Sequence, residues 1–117
     1  MSLKYPSKVV IGDISVRDGL QHEEKFIPTR AKLWLAEQLI LAGFKRIEVT
    51  NFGNPKGMPQ FADADELMKL LYTSKLVAHR IKEVETTAIT IREMAVERAV
   101  ASRQKGFGPD RILMMVS

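Results

Sequence analysis

Arg17 and Asp18 stand side by side in SVRDGLQ (Ser15–Gln21), followed by Gly19 and, two residues later, by Gln21. Further along, FKRIEVTN sets Glu48 between Ile47 and Val49, with Thr50 and Asn51 next. These residues can do chemistry only if the fold gathers them. Two carboxylates in one place repel each other unless a cation or an arginine neutralises them. Oxygen ligands of this kind favour a hard divalent ion such as Mg²⁺ or Mn²⁺. The plainer reading is a solvated turn pair at Arg17 and Asp18, with Gly19 taking a left-handed angle, and an ordinary salt bridge from Glu48 to a neighbouring helix. Glu48 argues against that reading. Its strand alternates, so Glu48 faces away from Ile47 and Val49 and toward an interior where a lone carboxylate costs several kcal/mol.

The elements that must position these groups follow from hydrophobic period. VVIGDISV (Val9–Val16) is rich in β-branched residues and reads as a buried strand. Thr29 is a candidate N-cap for a helix over Arg30–Leu41, with Ala31, Leu35, Leu39 and Ala42 at spacings of three and four and Gly43 as its stop. Phe44–Thr50 returns to a period of two, with Ile47 and Val49 on one face and Glu48 and Thr50 on the other. Ala62–Tyr72 fits a second helix, with Ala64, Leu67, Met68 and Leu71 along one stripe, and 73–82 carries no clear signal. Glu83–Thr90 reads as a third strand, and Thr90 with Glu93 forms a capping box opening a third helix from Ile91 to about Lys105. Arg103 and Lys105 suit its last turn, and Gly106 ends it. GFGPD (Gly106–Asp110) precedes a strand rather than following one, so it is a turn and not a dinucleotide cradle. Arg111–Val116 is a fourth, apolar strand.

The order β, α, β, α, β, α, β is the rhythm of right-handed crossover units, and the fold class expected is α/β with parallel (β/α) units. Four strands and three helices make either a small open sheet or part of an eight-stranded barrel. In both, ligands sit at the carboxyl ends of the strands, which would collect Arg17, Asp18, Gln21, Glu48, Thr50, Asn51, Thr86, Thr87, Thr90 and Ser117 on one rim.

Composition narrows the partners. The 117 residues carry 45% apolar residues and a net charge of +4, with the charges interspersed. The few aromatics are scattered, with no basic and aromatic platform for a single strand, so no nucleic-acid partner is expected. There is no cysteine, hence no disulfide or thiol nucleophile. No leader pattern or long apolar run stands out, so no membrane partner is expected and a cytoplasmic location is. His22 and His79 lack metal-ligand spacing, and Lys56 reads as an exposed loop lysine.

With these positions in place, the chain resembles the 3-hydroxy-3-methylglutaryl-CoA lyase branch of the metallolyase TIM barrels that carry an arginine and an aspartate after their first strand. The resemblance rests on RDGLQ (Arg17–Gln21), AGFKRIEVTNF (Ala42–Phe52) and PKGMPQ (Pro55–Gln60), in order, over roughly Val9–Leu71. It implies a metal-dependent retro-Claisen cleavage of a 3-hydroxyacyl-CoA to acetyl-CoA and a keto acid. It further implies that Asp18 binds the divalent cation, Mg²⁺ or Mn²⁺, and that Arg17 stabilises the enolate with Glu48 as a second catalytic residue. Gln21, Thr50 and Asn51 are then substrate-binding. The family's His-x-His pair, a later asparagine and a cysteine-bearing lid have no counterpart here. Residues 1–117 are therefore expected to be a single domain, the amino-terminal half of a truncated barrel, inactive or nearly so alone. The alternative is a half-barrel assembly module that pairs with itself or another chain without catalysis, and a homo-oligomer is expected.

Overall fold

The computed structural model describes residues 4–115, so Ser117 and the end assigned to the last strand at Val116 lie outside the described residues. Among these, four strands alternate with three α-helices: β1 (Gly12–Asp13), α1 (Thr29–Leu41), β2 (Arg46–Asn51), α2 (Ala64–Thr73), β3 (Glu85–Thr90), α3 (Glu93–Gln104) and β4 (Arg111–Met114). All neighbouring strands run parallel, and the sheet order is β1-β2-β3-β4. A doubly wound sheet reverses its order at a switch point, whereas a barrel adds each strand beside the last. The uninterrupted order is that of a partial barrel.

The helices form where expected, and their faces are instructive. α2 buries Ala64, Leu67, Met68 and Leu71, the stripe its spacing predicts. α1 does not follow Ala31, Leu35, Leu39 and Ala42. It buries Lys32, Leu33, Ala36 and Ile40, leaving Leu35 and Leu39 partly covered and Ala31 exposed. With apolar residues nearly all round α1, period alone could not choose the face. Both α1 and α3 end alike: Gly43 and Gly106 take positive φ, at 103° and 89°. The Phe44 and Phe107 amides reach back to the carbonyls of Leu39 and Ser102, each at 3.2 Å. This is the Schellman closure, and the repeated Gly-Phe writes it twice.

The expected caps do not form. Thr29 lies inside α1, after Pro28, and its hydroxyl donates to Asp63 at 2.7 Å. Thr90 stays in β3 with its hydroxyl toward the Leu113 carbonyl at 3.4 Å, so no capping box opens α3 at Arg92. In each case a tertiary partner takes the hydroxyl that a helix end would have used. The first strand is also shorter than read: only Gly12 and Asp13 pair with β2, and Val9 and Ile11 are largely exposed. β1 is the sheet's edge, and β-branched residues form strand only where a neighbour offers hydrogen bonds and cover.

The apolar core lies between the sheet and the helices, centred on Ile47, Val49, Ala88, Leu67 and Ile40. At the amino end of the sheet, Glu85 bridges Arg46 at 3.0 Å and Arg111 at 3.1 Å, tying β2, β3 and β4 in register. Desolvation pushes the Glu85 carboxyl up, and the guanidiniums of Arg111 and Arg46 outweigh it, holding the group below the usual carboxylate range.

A second polar knot joins α2 to the sheet. The Tyr72 hydroxyl lies 2.6 Å from the Thr86 hydroxyl and donates to Asp110 at 3.3 Å. Burial, seconded by the charge of Asp110 against the opposing Thr86 bond, pushes the Tyr72 phenol from 10.0 up to about 12. The unfolded chain then loses this proton first, so the contribution is fully present below pH 10 and is lost as pH rises toward 12. Urea midpoints measured across this range should fall more steeply for the natural chain than for Tyr72→Phe; parallel curves would refute the coupling.

Candidate functional site

After β1 the chain does not continue as strand. Ser15–Gly19 winds into a π-helical turn, in which the Gly19 amide points back to the Ile14 carbonyl and Asp13 Oδ1 accepts the Ser15 amide at 2.8 Å. Single π turns recur at functional sites because the extra residue redirects side chains. Here the turn carries Arg17 and Asp18, so the expected charge pair does stand at the carboxyl end of β1.

Arg17 is the hub. Its Nε donates to Glu48 Oε1. Its Nη1 donates to Gln21 Oε1 at 2.9 Å and to Asp18 Oδ1 at 3.2 Å. The Arg17 and Glu48 side chains are 13% and 10% exposed, whereas Asp18 is 47% exposed, so the Arg17–Glu48 pair is sheltered and Asp18 faces solvent. Arg17, Asp18, Gln21 and Glu48 are thus brought together from the turn after β1 and the middle of β2. Nη2 makes no hydrogen bond within the described residues, which leaves one edge of a fixed guanidinium available to a ligand oxygen.

Thr50 and Asn51 are placed otherwise. The register of β2 against β3 slips between Glu48, opposite Thr87, and Thr50, opposite Ala88. This bulge corrects the strict alternation that put Thr50 on the face of Glu48: Thr50 stands across from a core alanine. It is fully buried, and its hydroxyl has no partner among the described residues. Asn51, 2% exposed, turns its side-chain oxygen onto the Gly53 amide at 2.7 Å and shapes the β2–α2 loop. Thr86 is not on the rim either. It lies near the amino end of β3, bonded to Asp110 through its amide at 2.9 Å.

Two residues not singled out by type or spacing support the site from behind. Lys32 is 1% exposed, its Nζ donating to Asp63 at 2.9 and 3.1 Å and to the Gln60 carbonyl, with the Phe26 ring 4.3 Å away. Gln60, at the end of PKGMPQ, is likewise buried and bonds three backbone groups of the β1–α1 connection. A lysine inside a helix's core stripe was the one available signal, and it is indistinct among so many apolar neighbours.

Beside this rim, a cavity of about 540 Å³ opens between the β2–α2 loop and the start of α3, lined by Phe52, Pro55, Met58, Ile91 and Met94 with Arg92 and Arg98. Arg98 is itself fixed, donating to the Phe52 and Gly53 carbonyls at 3.1 and 2.9 Å. For a divalent cation, the described residues hold no cluster of three or more His, Cys, Asp or Glu side chains. Asp18 fits as a single hard-oxygen ligand through its Oδ2, since its Oδ1 and the near oxygen of Glu48 both accept from Arg17. No helix among the described residues is long and apolar enough to cross a membrane.

The chain is thus a parallel β/α partial barrel with an arginine held by two carboxylates near the carboxyl-end rim, where barrel enzymes place their active sites. The comparisons say which enzymes it resembles. No family model matches the chain. The mitochondrial hydroxymethylglutaryl-CoA lyase of Arabidopsis thaliana is 40% identical over 68 residues, 58% of this chain and 14% of the relative. The (R)-citramalyl-CoA lyase of Chloroflexus aurantiacus is 40% identical over 63 residues, 54% of this chain and 20% of that protein. Among solved structures, an HMG-CoA lyase of Acinetobacter baumannii in complex with coenzyme A and 3-methylmalate superposes with a TM-score of 0.69 at 31% identity, covering 80% of this chain and 28% of that one. In sequence and in fold, the chain is similar to a part of the HMG-CoA lyases, and it spans only 14–20% of the length of these curated relatives.

Proposed function

We propose that these residues supply the arginine and carboxylate portion of a carbon–carbon lyase site that cleaves a 3-hydroxyacyl-CoA. The observation that carries this reading is Arg17, fixed by Glu48 and Gln21 with Nη2 uncommitted, at the carboxyl end of β1. In a retro-Claisen cleavage the bond between the carbinol carbon and the thioester's α-carbon breaks. The hydroxyl gives up its proton and becomes a carbonyl, and the bonding pair moves into the thioester as an enolate. That enolate then takes a proton to give acetyl-CoA beside the keto acid. Arg17 stabilises the negative oxygen as it forms, and because Glu48 already orients the guanidinium, little reorganisation is needed in the transition state. A Mg²⁺ or Mn²⁺ ion on Asp18 would, when bound, supply a Lewis acid for the substrate oxygens. The apolar cavity beside Met58 and Met94 suits the uncharged arm of an acyl-CoA, and the coenzyme A in the Acinetobacter relative supports that class of substrate.

One carboxylate holds a hard cation weakly, so the chain by itself is expected to be inactive. The test is a chimeric barrel in which residues 9–115 replace the matching part of a related lyase. With Mn²⁺ and HMG-CoA or citramalyl-CoA it should release acetyl-CoA, and Asp18→Ala should abolish release while weakening Mn²⁺ binding measured by electron paramagnetic resonance. A folded chimera that binds Mn²⁺ and cleaves neither thioester overturns the proposal, as does near-wild-type turnover in Asp18→Ala.

A further inference from the structure

The PKGMPQ stretch ends on a glutamine that the lyase reading leaves without a role. Gln60 sits in the 3₁₀ turn Pro59–Phe61 of the β2–α2 connection, and its side chain is directed into the other connection on the same rim. Its Oε1 accepts the Ile27 amide at 2.8 Å. Its Nε2 donates to the Glu23 carbonyl at 3.2 Å and the Lys25 carbonyl at 2.9 Å. Both amide protons and the carbonyl of one carboxamide are thus used on backbone groups of a single segment, Glu23–Ile27, which begins two residues after Gln21 and four after the turn bearing Arg17. The Glu23 amide in turn bonds the carbonyl of Leu20 at 3.1 Å, and Leu20 is the residue that closes the Arg17 turn. From the other side, buried Lys32 holds the Gln60 carbonyl and Asp63, which fixes the glutamine's own backbone to α1.

We infer that Gln60 is a positioning residue: it clamps the Glu23–Ile27 segment and thereby holds the Ser15–Gly19 turn, with Arg17, against Glu48. This rests on the reading of Arg17 as the site's working group, but the clamp is a property of this chain and can be measured without substrate. The chemistry is selective. A carboxamide offers one acceptor and two donors in a plane, matching one amide and two carbonyls. Glutamate at the same position keeps the acceptor and loses both donors, setting a negative charge against two carbonyl oxygens. Methionine keeps the length and none of the bonds.

The experiment is nuclear magnetic resonance on the chain itself, following the Arg17 Nε–H signal, which the ion pair with Glu48 should shift and protect from exchange. In Gln60→Met the Arg17 signal should lose its protection at least tenfold, and the Ile27 amide should exchange faster, while the amides of β2 and β3 stay protected. Gln60→Glu should keep part of the Ile27 protection and none of Arg17's, an outcome that a mere packing role would not produce. If the Arg17 signal keeps its natural protection in either folded variant, the inference falls, whatever the lyase assay shows. It also falls if neither variant folds, since Gln60 would then be required by the whole core and not by the turn. If the clamp is found and the chimeric barrel is nevertheless inert, the lyase reading fails and the clamp stands.

Discussion

Lys32→Met is expected to destabilise the chain by about 3–5 kcal/mol, the range for removing one partner of a buried ion pair. Against a total of roughly 5–15 kcal/mol for a domain, that is enough to unfold a large share of the molecules. The cost arises from what remains. Asp63, 7% exposed, would keep its carboxylate with only the Thr29 hydroxyl as a donor, and the Gln60 carbonyl would lose the ammonium it faces. The cation over the Phe26 ring adds a smaller loss, about 0.5–2 kcal/mol by the usual range for such contacts. The double change Lys32→Met with Asp63→Leu should recover much of the loss, because an apolar pair of similar volume avoids desolvating either charge. Urea unfolding of the three chains decides it. A single-variant effect below about 1 kcal/mol would mean that the pair behaves like a surface contact.

That pair also marks where reading a sequence stops. The alternation of strand and helix, the stripe of α2 and the two Gly-Phe closures are local patterns, and the chain folds as they indicate. The interior placement of Glu48 was legible too, because a charged residue in a short apolar strand has few options, and Arg17 is the partner it finds. Lys32 with Asp63 was not, since the two stand 31 positions apart and nothing local distinguishes a lysine that turns inward from one that snorkels to solvent. The bulge in β2 was equally hidden: a one-residue slip is decided by β3 as the neighbouring strand, and it moves Thr50 from the rim to the core side. The overlong first strand has the same origin. Val9 and Val10 have the composition of a strand, but β1 lies at the sheet's edge and only Gly12 and Asp13 gain partners.

Arg17→Lys, made in the chimeric barrel, is expected to lower kcat by about 10²–10³-fold, the loss typical of removing one donor aimed at a developing oxyanion, with KM changed far less. Lysine keeps the charge and loses the fork. It cannot bond Glu48, Gln21 and Asp18 at once while presenting a further N–H to substrate, as the Nε, Nη1 and Nη2 of Arg17 can. A more drastic change such as Arg17→Met would confuse two effects, because Glu48 is nearly buried and would be left uncompensated, costing several kcal/mol of stability beside any loss of rate. Pairing it with Glu48→Met separates them: the double variant should regain most of the stability of the natural chain and none of its turnover. Thermal unfolding and acetyl-CoA release measured on the same samples test both halves. If the double variant recovers activity with stability, Arg17 serves the fold alone; if Arg17→Lys turns over at near the natural rate, the guanidinium's third edge is not what the reaction uses.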